Sequence, residues 1–273
     1  DFIQDEIEYH LMKEGFFNVD KFFILQRASR ISSFDEMVSS KIEEEVKKPQ
    51  EQREPKFYNV IKSDGSKILL SEEVLRNRIA FACKGYEDVT SVEEILDGAT
   101  CQFYENIKEE EVDQSLIFST RTKIEIEPAY SKVASKLLLD LIYKEALGVG
   151  FDCDDLNTIH KEGFKKYIEK AIGLKRISPS LLDFDFEQIS AAIDLQRDEK
   201  FGYLGLQTLY DRYFIHEMQQ RLEAPQYFWM RVAMGLSINE GAQKNARAIE
   251  FYNLLSSFLF VSSTPTLFNS GTM

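Results

Sequence analysis

The sequence predicts a mainly α-helical protein with a small β-hairpin. Apolar residues recur at helical spacing through most of the chain after residue 71, which is typical of amphipathic helices. The strongest hairpin signal is FYNVIKSDGSKILL, residues 57–70, where two short apolar runs flank Asp64-Gly65, a pair that accepts the positive φ of a tight two-residue turn. A chain of 273 residues with 44% hydrophobic side chains can bury a sizeable core, which excludes a disordered protein.

The charge balance and hydropathy narrow the function classes. A net charge of −13 without a basic stripe argues against a nucleic-acid partner, although a small nucleotide needs only two or three cations. Apolar runs fall short of the roughly 18 to 20 residues that span a bilayer, so we expect no membrane partner. The acidic start, DFIQDEIEYH, lacks the order of a signal peptide, and a cytoplasmic location is expected.

Cysteine and histidine spacing gives no metal signal. The cysteines form no C-x-x-C pair, so zinc and a disulfide framework are not expected, and each is predicted to be a small buried residue: Cys83, Cys101 and Cys153. The histidines lack metal-ligand spacing and are predicted to be structural or solvated: His10, His160 and His216. We therefore expect no metal in this chain.

The first part of the chain predicts two helices and a linker. Residues 3–14 place apolar side chains on one helical face before Gly15, and a second helix is predicted over 19–30. Residues 31–56 include EEEVKKPQEQREPK, a charged stretch with two prolines, which indicates a solvated connector.

Four helices are predicted after the hairpin. The first covers about 71–83, and the second begins at Ser91, where Ser91-x-x-Glu94 forms a capping box. The third is predicted over 109–127, and Pro128 begins the fourth, which reaches Leu147. Glycines at 148 and 150 then interrupt the helical pattern and predict a domain boundary.

The remainder of the chain is also predicted to be helical. QYFWMRVAMGL is apolar nearly all round and should be deeply buried. Strand signals return only near Val261. The predicted helices cover 155–172, 184–194, 202–221, 225–236 and 241–260.

Two blocks carry a family resemblance. APQYFWMRVAMGLSINEGAQKNARAIEFYNLLSSFLFVSSTPTLFNSGT, residues 224–272, resembles the helical approach to the active-site barrel of the class I ribonucleotide reductase large subunit. Residues 62–147, with KSDG, QFYENIK and PAYSKVASKLLLDLIYKEALG, resemble an ATP-cone, the regulatory nucleotide-binding module of that family. IQDEIEYHLM and FFILQRASR look like the last two helices of an earlier cone.

The resemblance implies four parts. Residues 1–30 would be the C-terminal helices of a partial cone, 31–56 a linker and 57–148 an ATP-cone-like domain. Residues 149–273 would be the helical N-terminal part of the catalytic domain, ending at the entry to a ten-stranded α/β barrel.

The implied activity is that of a ribonucleoside-diphosphate reductase. Such an enzyme reduces ribonucleoside diphosphates to their deoxy forms by thiyl-radical chemistry, for DNA synthesis. The implied partners are a small radical-generating subunit, a thioredoxin- or glutaredoxin-type reductant and a second copy of the large subunit, as a homodimer or higher oligomer. ATP or dATP would act as allosteric effectors. The family's first catalytic cysteine would follow Met273, so we expect no catalytic residue in this chain.

One residue here matches the family's substrate-binding positions. Thr264, before Pro265, corresponds to the hydroxyl residue that hydrogen-bonds the substrate diphosphate, a role that its chemistry permits. The alternative is that Ser262, Ser263 and Thr264 cap or end a helix before a proline.

The cone-like module matches the nucleotide-binding pattern only in part. Lys62 and Lys144 match basic positions that meet the nucleotide phosphates. Three other positions depart from the pattern: Ile68 replaces an acidic residue, Val74 a lysine and Glu109 a threonine. Because a carboxylate near a triphosphate is repulsive, we expect a degenerate cone that has lost nucleotide binding.

Two alternatives to an enzyme remain. A nucleotide-sensing module of the kind joined to a zinc ribbon would need a Cys-x-x-Cys pair and a basic surface, which the sequence lacks. An oligomerisation module without catalysis fits the degenerate cone, but it leaves APQYFWMRVA and STPTLFNSGT unexplained.

Overall fold

The computed structural model describes residues 56–62, 64–151, 153–218 and 220–273. The predicted helices at 3–14 and 19–30, the partial cone at 1–30 and nearly all of the linker lie outside the described residues. From Phe57 onward the chain forms one compact unit. The part of it that is described has no helix long and apolar enough to cross a membrane.

The predicted hairpin is confirmed, with a longer loop than expected. β1 (Phe57–Ile61) and β2 (Lys67–Ser71) are antiparallel, and β3 (Ile107–Lys108) pairs with β1 in parallel to give the order β2-β1-β3. Because Ile61 pairs with Lys67, the loop has five residues instead of the expected tight two-residue turn. Gly65 supplies its positive φ of 81°, and the Asp64 carboxylate accepts a hydrogen bond from the Ser66 N–H at 2.8 Å.

Four helices follow the hairpin, as predicted: α1 (Glu72–Cys83), α2 (Val92–Thr100), α3 (Glu109–Arg121) and α4 (Tyr130–Leu147). Ser71 and Ser91 cap α1 and α2, each accepting a backbone N–H through its hydroxyl. α4 ends at Gly148, whose φ of 75° is the left-handed conformation typical of a helix C-terminus. α3 ends at Arg121, where the chain continues in turns, six residues before the predicted end.

The second half of the described chain is helical with a short hairpin. Its elements are α5 (Leu156–Gly173), a 3₁₀ turn (Pro179–Asp183), α6 (Phe186–Ala191), a 3₁₀ turn (Leu195–Lys200), α7 (Tyr203–Arg212), β4 (His216–Glu217), β5 (Gln220–Arg221), α8 (Pro225–Ser237), a 3₁₀ turn (Gly241–Gln243), α9 (Lys244–Ser256) and α10 (Thr264–Asn269).

Two predictions about this half are wrong. The helix predicted over 202–221 ends at Arg212, and the chain then reverses as the β4–β5 hairpin, with Met218 at a positive φ of 54°. The strand expected near Val261 is absent from the described residues. Pro265 there occupies the first turn of α10, where its missing N–H costs no helical hydrogen bond.

The helix α8 is deeply buried, as its apolar sequence QYFWMRVAMGL predicts. Eight of its consecutive residues, 227–234, are at most 3% exposed, and the helix packs along α9. α4 is buried in the same way, since it packs against α3 on one side and α7 on the other. The domain boundary placed at residue 148 stays a prediction.

One apolar surface stands out. After α9, four consecutive apolar side chains are exposed: Phe258 (39%), Leu259 (77%), Phe260 (59%) and Val261 (68%). We call residues 258–261 the apolar run.

Candidate functional site

The two lysines singled out in the cone-like module lie in one pocket. Lys62 begins the β1–β2 loop and Lys144 lies in the last turn of α4, and both line an open cavity of about 680 Å³. The N-terminal turns of α3 form another wall. The structure therefore brings together Lys62, Lys144 and Glu109, three of the positions that the sequence related to nucleotide binding.

Lys144 is already neutralised by carboxylates of this chain. Its Nζ lies 2.8 Å from an Asp140 oxygen and 3.4 Å from Asp113, and the Arg78 guanidinium contacts both carboxylates, at 2.9 Å for Asp140. Burial alone would raise the pKa of Asp140, but Lys144 and Arg78 outweigh it and hold that pKa below its usual range. The carboxylate of Asp140 is therefore ionised at neutral pH and holds the lysine in place.

The lining of this pocket carries more negative than positive charge. Three cations face four carboxyl groups, a formal balance of −1: Lys62, Lys144 and Arg221 against Glu109, Glu110, Asp113 and Glu145. Glu145 accepts hydrogen bonds from the Tyr210 hydroxyl at 2.7 Å and the Arg221 N–H at 2.8 Å. Such a lining opposes a triphosphate because like charges repel strongly in a partly desolvated site.

The other two departures from the cone pattern lie away from this lining. Ile68 is half-buried and packs on the core, while Val74 is 46% exposed on α1. Neither lines the cavity.

Thr264 lies elsewhere, at the first residue of α10, and is exposed. Its Oγ1 lies 3.2 Å from the Tyr213 hydroxyl, and the Tyr213 ring stacks on Phe268 with centroids 4.6 Å apart. Ser263 occupies the N-cap position but makes no side-chain cap hydrogen bond. The position of Ser263 therefore agrees with the helix-cap interpretation while its hydroxyl makes no cap hydrogen bond, and both interpretations of this segment stay predictions.

A fully buried ion pair fixes the segment that follows α10. Arg231 of α8 donates to Glu223 at 2.6 Å, and both side chains are 0% exposed. Arg231 also donates to the Ser270 carbonyl at 2.7 Å, while Glu223 accepts from the Ile215 N–H at 2.8 Å and from the Tyr167 hydroxyl. Sequence reasoning missed this pair; its signal was a lone arginine in an otherwise apolar helix.

A second buried network joins α4 to α8 and α9. The Asp198 carboxyl accepts from the Tyr143 hydroxyl and, at 2.6 Å, from the Gln226 amide, whose oxygen accepts from Tyr252. Burial raises the pKa of Asp198 to about 7, and the two hydrogen bonds only partly offset it. This network was also missed, because its members are far apart in the sequence.

The histidine and cysteine predictions are confirmed in part. His160 is a structural residue, 0% exposed, with its ring 4.3 Å from that of Tyr227, and burial lowers its pKa to about 3. Cys83 is buried as expected, but Cys153 is only half-buried and Cys101 is exposed on the C-terminal end of α2. Within the described ranges no group of three or more potential metal ligands comes together.

Comparison with known proteins identifies the family. The family model described as "Ribonucleotide reductase, all-alpha domain" matches residues 199–273. The ribonucleoside-diphosphate reductase subunit alpha of Chlamydia pneumoniae is 44% identical over 269 residues, which is 98% of this chain and 25% of that protein. The chain belongs to the ribonucleotide reductase large-subunit family.

Other members of the family match less of the chain. The subunit alpha of Helicobacter pylori is 36% identical over 217 residues, 78% of this chain and 26% of that protein. The large subunit of Danio rerio is 27% identical over 220 residues, with similar coverage. The chain thus spans about a quarter of the length of these ribonucleotide reductase subunits. The all-alpha match contains α7 to α10, and with them Thr264 and the Glu223–Arg231 pair.

Proposed function

We propose that the chain is the N-terminal part of a ribonucleoside-diphosphate reductase large subunit. The observation that carries the proposal is the 44% identity over 98% of the chain to a protein of that name. The complete enzyme would reduce ribonucleoside diphosphates to deoxyribonucleoside diphosphates with a radical-generating small subunit and a thioredoxin- or glutaredoxin-type reductant. In that chemistry a thiyl radical takes the 3′ hydrogen and a cysteine pair supplies the electrons. The catalytic cysteines would belong to the part of the protein beyond this sequence.

In this proposal Thr264 binds the substrate diphosphate. Its exposed hydroxyl is held near the Tyr213 hydroxyl, and Tyr213 is fixed by stacking on Phe268, so the threonine is oriented before a ligand arrives. A hydroxyl can donate to a phosphate oxygen, and a hydrogen bond to a charged group contributes roughly 1.5–3 kcal/mol.

The test uses the full-length large subunit that carries this sequence, with its small subunit and a dithiol reductant. We expect reduction of ribonucleoside diphosphates, and a KM about tenfold higher in Thr264→Val, with Thr264→Ser close to the original. Thr208→Val is the control, because the exposed Thr208 hydroxyl donates a hydrogen bond to the Leu204 carbonyl of its own helix. Lack of any reduction would overturn the enzyme proposal, whereas an unchanged KM in Thr264→Val would overturn only the role of Thr264.

A second proposal concerns the cone-like module, residues 57–148. We infer that it keeps the helices and hairpin of a nucleotide cone but does not bind ATP or dATP between Lys62 and Lys144. Support comes from the net negative lining and from Asp113 and Asp140, which take up the charge of Lys144. ATP or dATP regulation of the complete enzyme would then act through another site, and the module would serve in contacts between subunits.

Equilibrium dialysis with ATP and dATP tests this inference. We expect no saturable binding that depends on Lys62, and binding that becomes measurable in Glu109→Thr, which removes one carboxylate from the lining. The control is Glu105→Gln, an exposed glutamate outside that lining. Micromolar binding by the unmodified chain that is lost in Lys62→Gln would favour the alternative, a nucleotide-sensing module. An oligomeric state that ATP and dATP leave unchanged would favour the contact role.

A further inference from the structure

A second cavity of about 680 Å³ lies between the C-terminal end of α1, α4 and the turn at 195–201. We call it the α1–α4 pocket. Its size falls within the range of roughly 300–1,000 Å³ that is common for small-molecule sites. It shares no lining residue with the cavity that holds Lys62 and Lys144.

Aromatic rings from separate segments form the walls of the α1–α4 pocket. Phe151 lies between Phe81 of α1 and Tyr143 of α4, with ring centroids 5.5 Å and 5.7 Å apart. Phe201 lines the side formed by the 195–201 turn, and Phe81 is 48% exposed beside the opening. A flat apolar body could therefore replace water against several rings at once.

Lys84, directly after α1, and two lysines of α4 supply positive charge to this pocket. Lys136 donates through Nζ to the Lys84 carbonyl at 2.7 Å and lies 5.4 Å from the centre of the Tyr86 ring. Partial burial removes water from the ammonium group of Lys136 and thereby lowers its pKa. A bound anion would stabilise the charged form. Lys132, in contrast, donates to three backbone carbonyls, those of Glu199, Lys200 and Phe201, which uses all the donors of its ammonium.

One of the two carboxyl groups of the pocket, Asp198, competes weakly for these cations, whereas Glu199 attracts Lys136. Both oxygens of Asp198 already accept hydrogen bonds, from Tyr143 and Gln226, and burial favours its neutral form. Glu199 is the other carboxylate of the lining. Three lysines against two carboxyl groups give a formal balance of +1, opposite in sign to that of the other cavity.

We propose that the α1–α4 pocket is a binding site for a small organic anion with an aromatic body. The aromatic part would lie against Phe81, Tyr143 and Phe151, and its acidic group would pair with Lys136 beside Lys84. This inference uses no step of the proposed reductase reaction, and the two proposals are tested independently.

The experiment uses 1-anilinonaphthalene-8-sulfonate, an aromatic sulfonate whose fluorescence reports binding. The apolar run would also attract this dye, so titrations are made in a Leu259→Gln, Phe260→Gln background. We expect one saturable site, with the Kd raised about tenfold by Lys136→Gln, the effect of losing one charge-assisted hydrogen bond. Phe81→Ser should also weaken binding severalfold, because it removes one aromatic wall.

Lys165→Gln is the matched control. Lys165 also lies over an aromatic ring, 5.9 Å from that of Phe186, but it does not line this pocket, so its loss should leave the Kd unchanged. A Kd that Lys136→Gln and Phe81→Ser both leave unchanged overturns the proposal, as does equal weakening in Lys165→Gln. Absence of a saturable site also overturns it.

Discussion

At the scale of single residues, buried polar side chains connect helices that the sequence separates. Asp198 and Gln226 link α4 to α8, and Glu223 and Arg231 link the β4–β5 hairpin to the segment at 270–272. Every described member of these networks has a hydrogen-bond partner, which offsets the cost of burying polar groups. The protonation of Asp198 therefore affects the stability of the fold.

Asp198 should make stability depend on pH. Its pKa is about 7 in the folded chain and near 3.8 when exposed, so the folded state binds a proton that the unfolded state releases. The stabilisation is present below pH 3.8 and is lost as the pH rises towards 7. Between pH 5 and pH 8 we expect the free energy of unfolding to fall by about 2.5 kcal/mol more in the unmodified chain than in Asp198→Asn.

Urea denaturation at four pH values measures this difference. His160 acts in the opposite direction, because its pKa of about 3 makes folding easier as the pH rises towards 6.5, so only the difference between chains isolates Asp198. Asp211→Asn, at an exposed residue that bonds Gln207, should behave like the unmodified chain. Parallel pH profiles for Asp198→Asn and the unmodified chain would contradict the assigned pKa.

At the scale of elements, α8 is the helix on which the segment after α10, residues 270–271, rests. Gly235 lets the backbone of residues 270–271 lie directly on the helix, since a Cβ at 235 would come 2.1 Å from the Gly271 N and 2.4 Å from the Ser270 Oγ. The Ser270 hydroxyl also donates to the Val232 carbonyl at 2.8 Å. Any side chain at 235 must therefore displace this segment.

Gly235→Ala should destabilise the fold although alanine favours helices. We expect a loss of about 1–3 kcal/mol, the usual cost of overpacking, measured by chemical denaturation. Gly173→Ala is the control, because a Cβ at the end of α5 meets nothing within 4 Å and the residue has no positive φ. Equal stability of the two variants would show that the close approach is absent in solution.

The difference between local sequence signals and contacts from distant residues explains which elements the sequence predicts. The β1–β2 hairpin and α1 to α4 carry local signals, such as Ser71, Ser91 and Gly148 at their ends, and the structure confirms each element, although the hairpin loop is longer and α3 ends earlier than predicted. The β4–β5 hairpin has no such signal, because Glu223 fixes it through a hydrogen bond to the Ile215 N–H and through its pair with Arg231. The pocket that contains Lys62 and Lys144 is an intermediate case. The sequence predicts the two lysines, whereas the carboxylates Asp113 and Asp140 are found only from the three-dimensional structure.

At the scale of the whole molecule, surface charge and exposed apolar area act against each other. The net charge of −13 keeps copies of the chain apart at low salt. The apolar run, with Leu259 77% and Val261 68% exposed, favours association because burying it removes apolar surface from water. Four consecutive exposed apolar residues exceed the single exposures that are normal on a protein surface.

We therefore expect the 273-residue chain to self-associate through the apolar run, more strongly as salt screens its charge. Sedimentation velocity at low and high salt should show a concentration-dependent shift that Leu259→Gln together with Phe260→Gln abolishes. Ile126→Gln is the control, because Ile126 is 83% exposed in the turns between α3 and α4, well away in sequence from the run. If the double variant sediments like the unmodified chain, the run is not the contact surface. If Ile126→Gln abolishes association instead, the contacts of the 273-residue chain are made by the module at 57–148 and not by the apolar run.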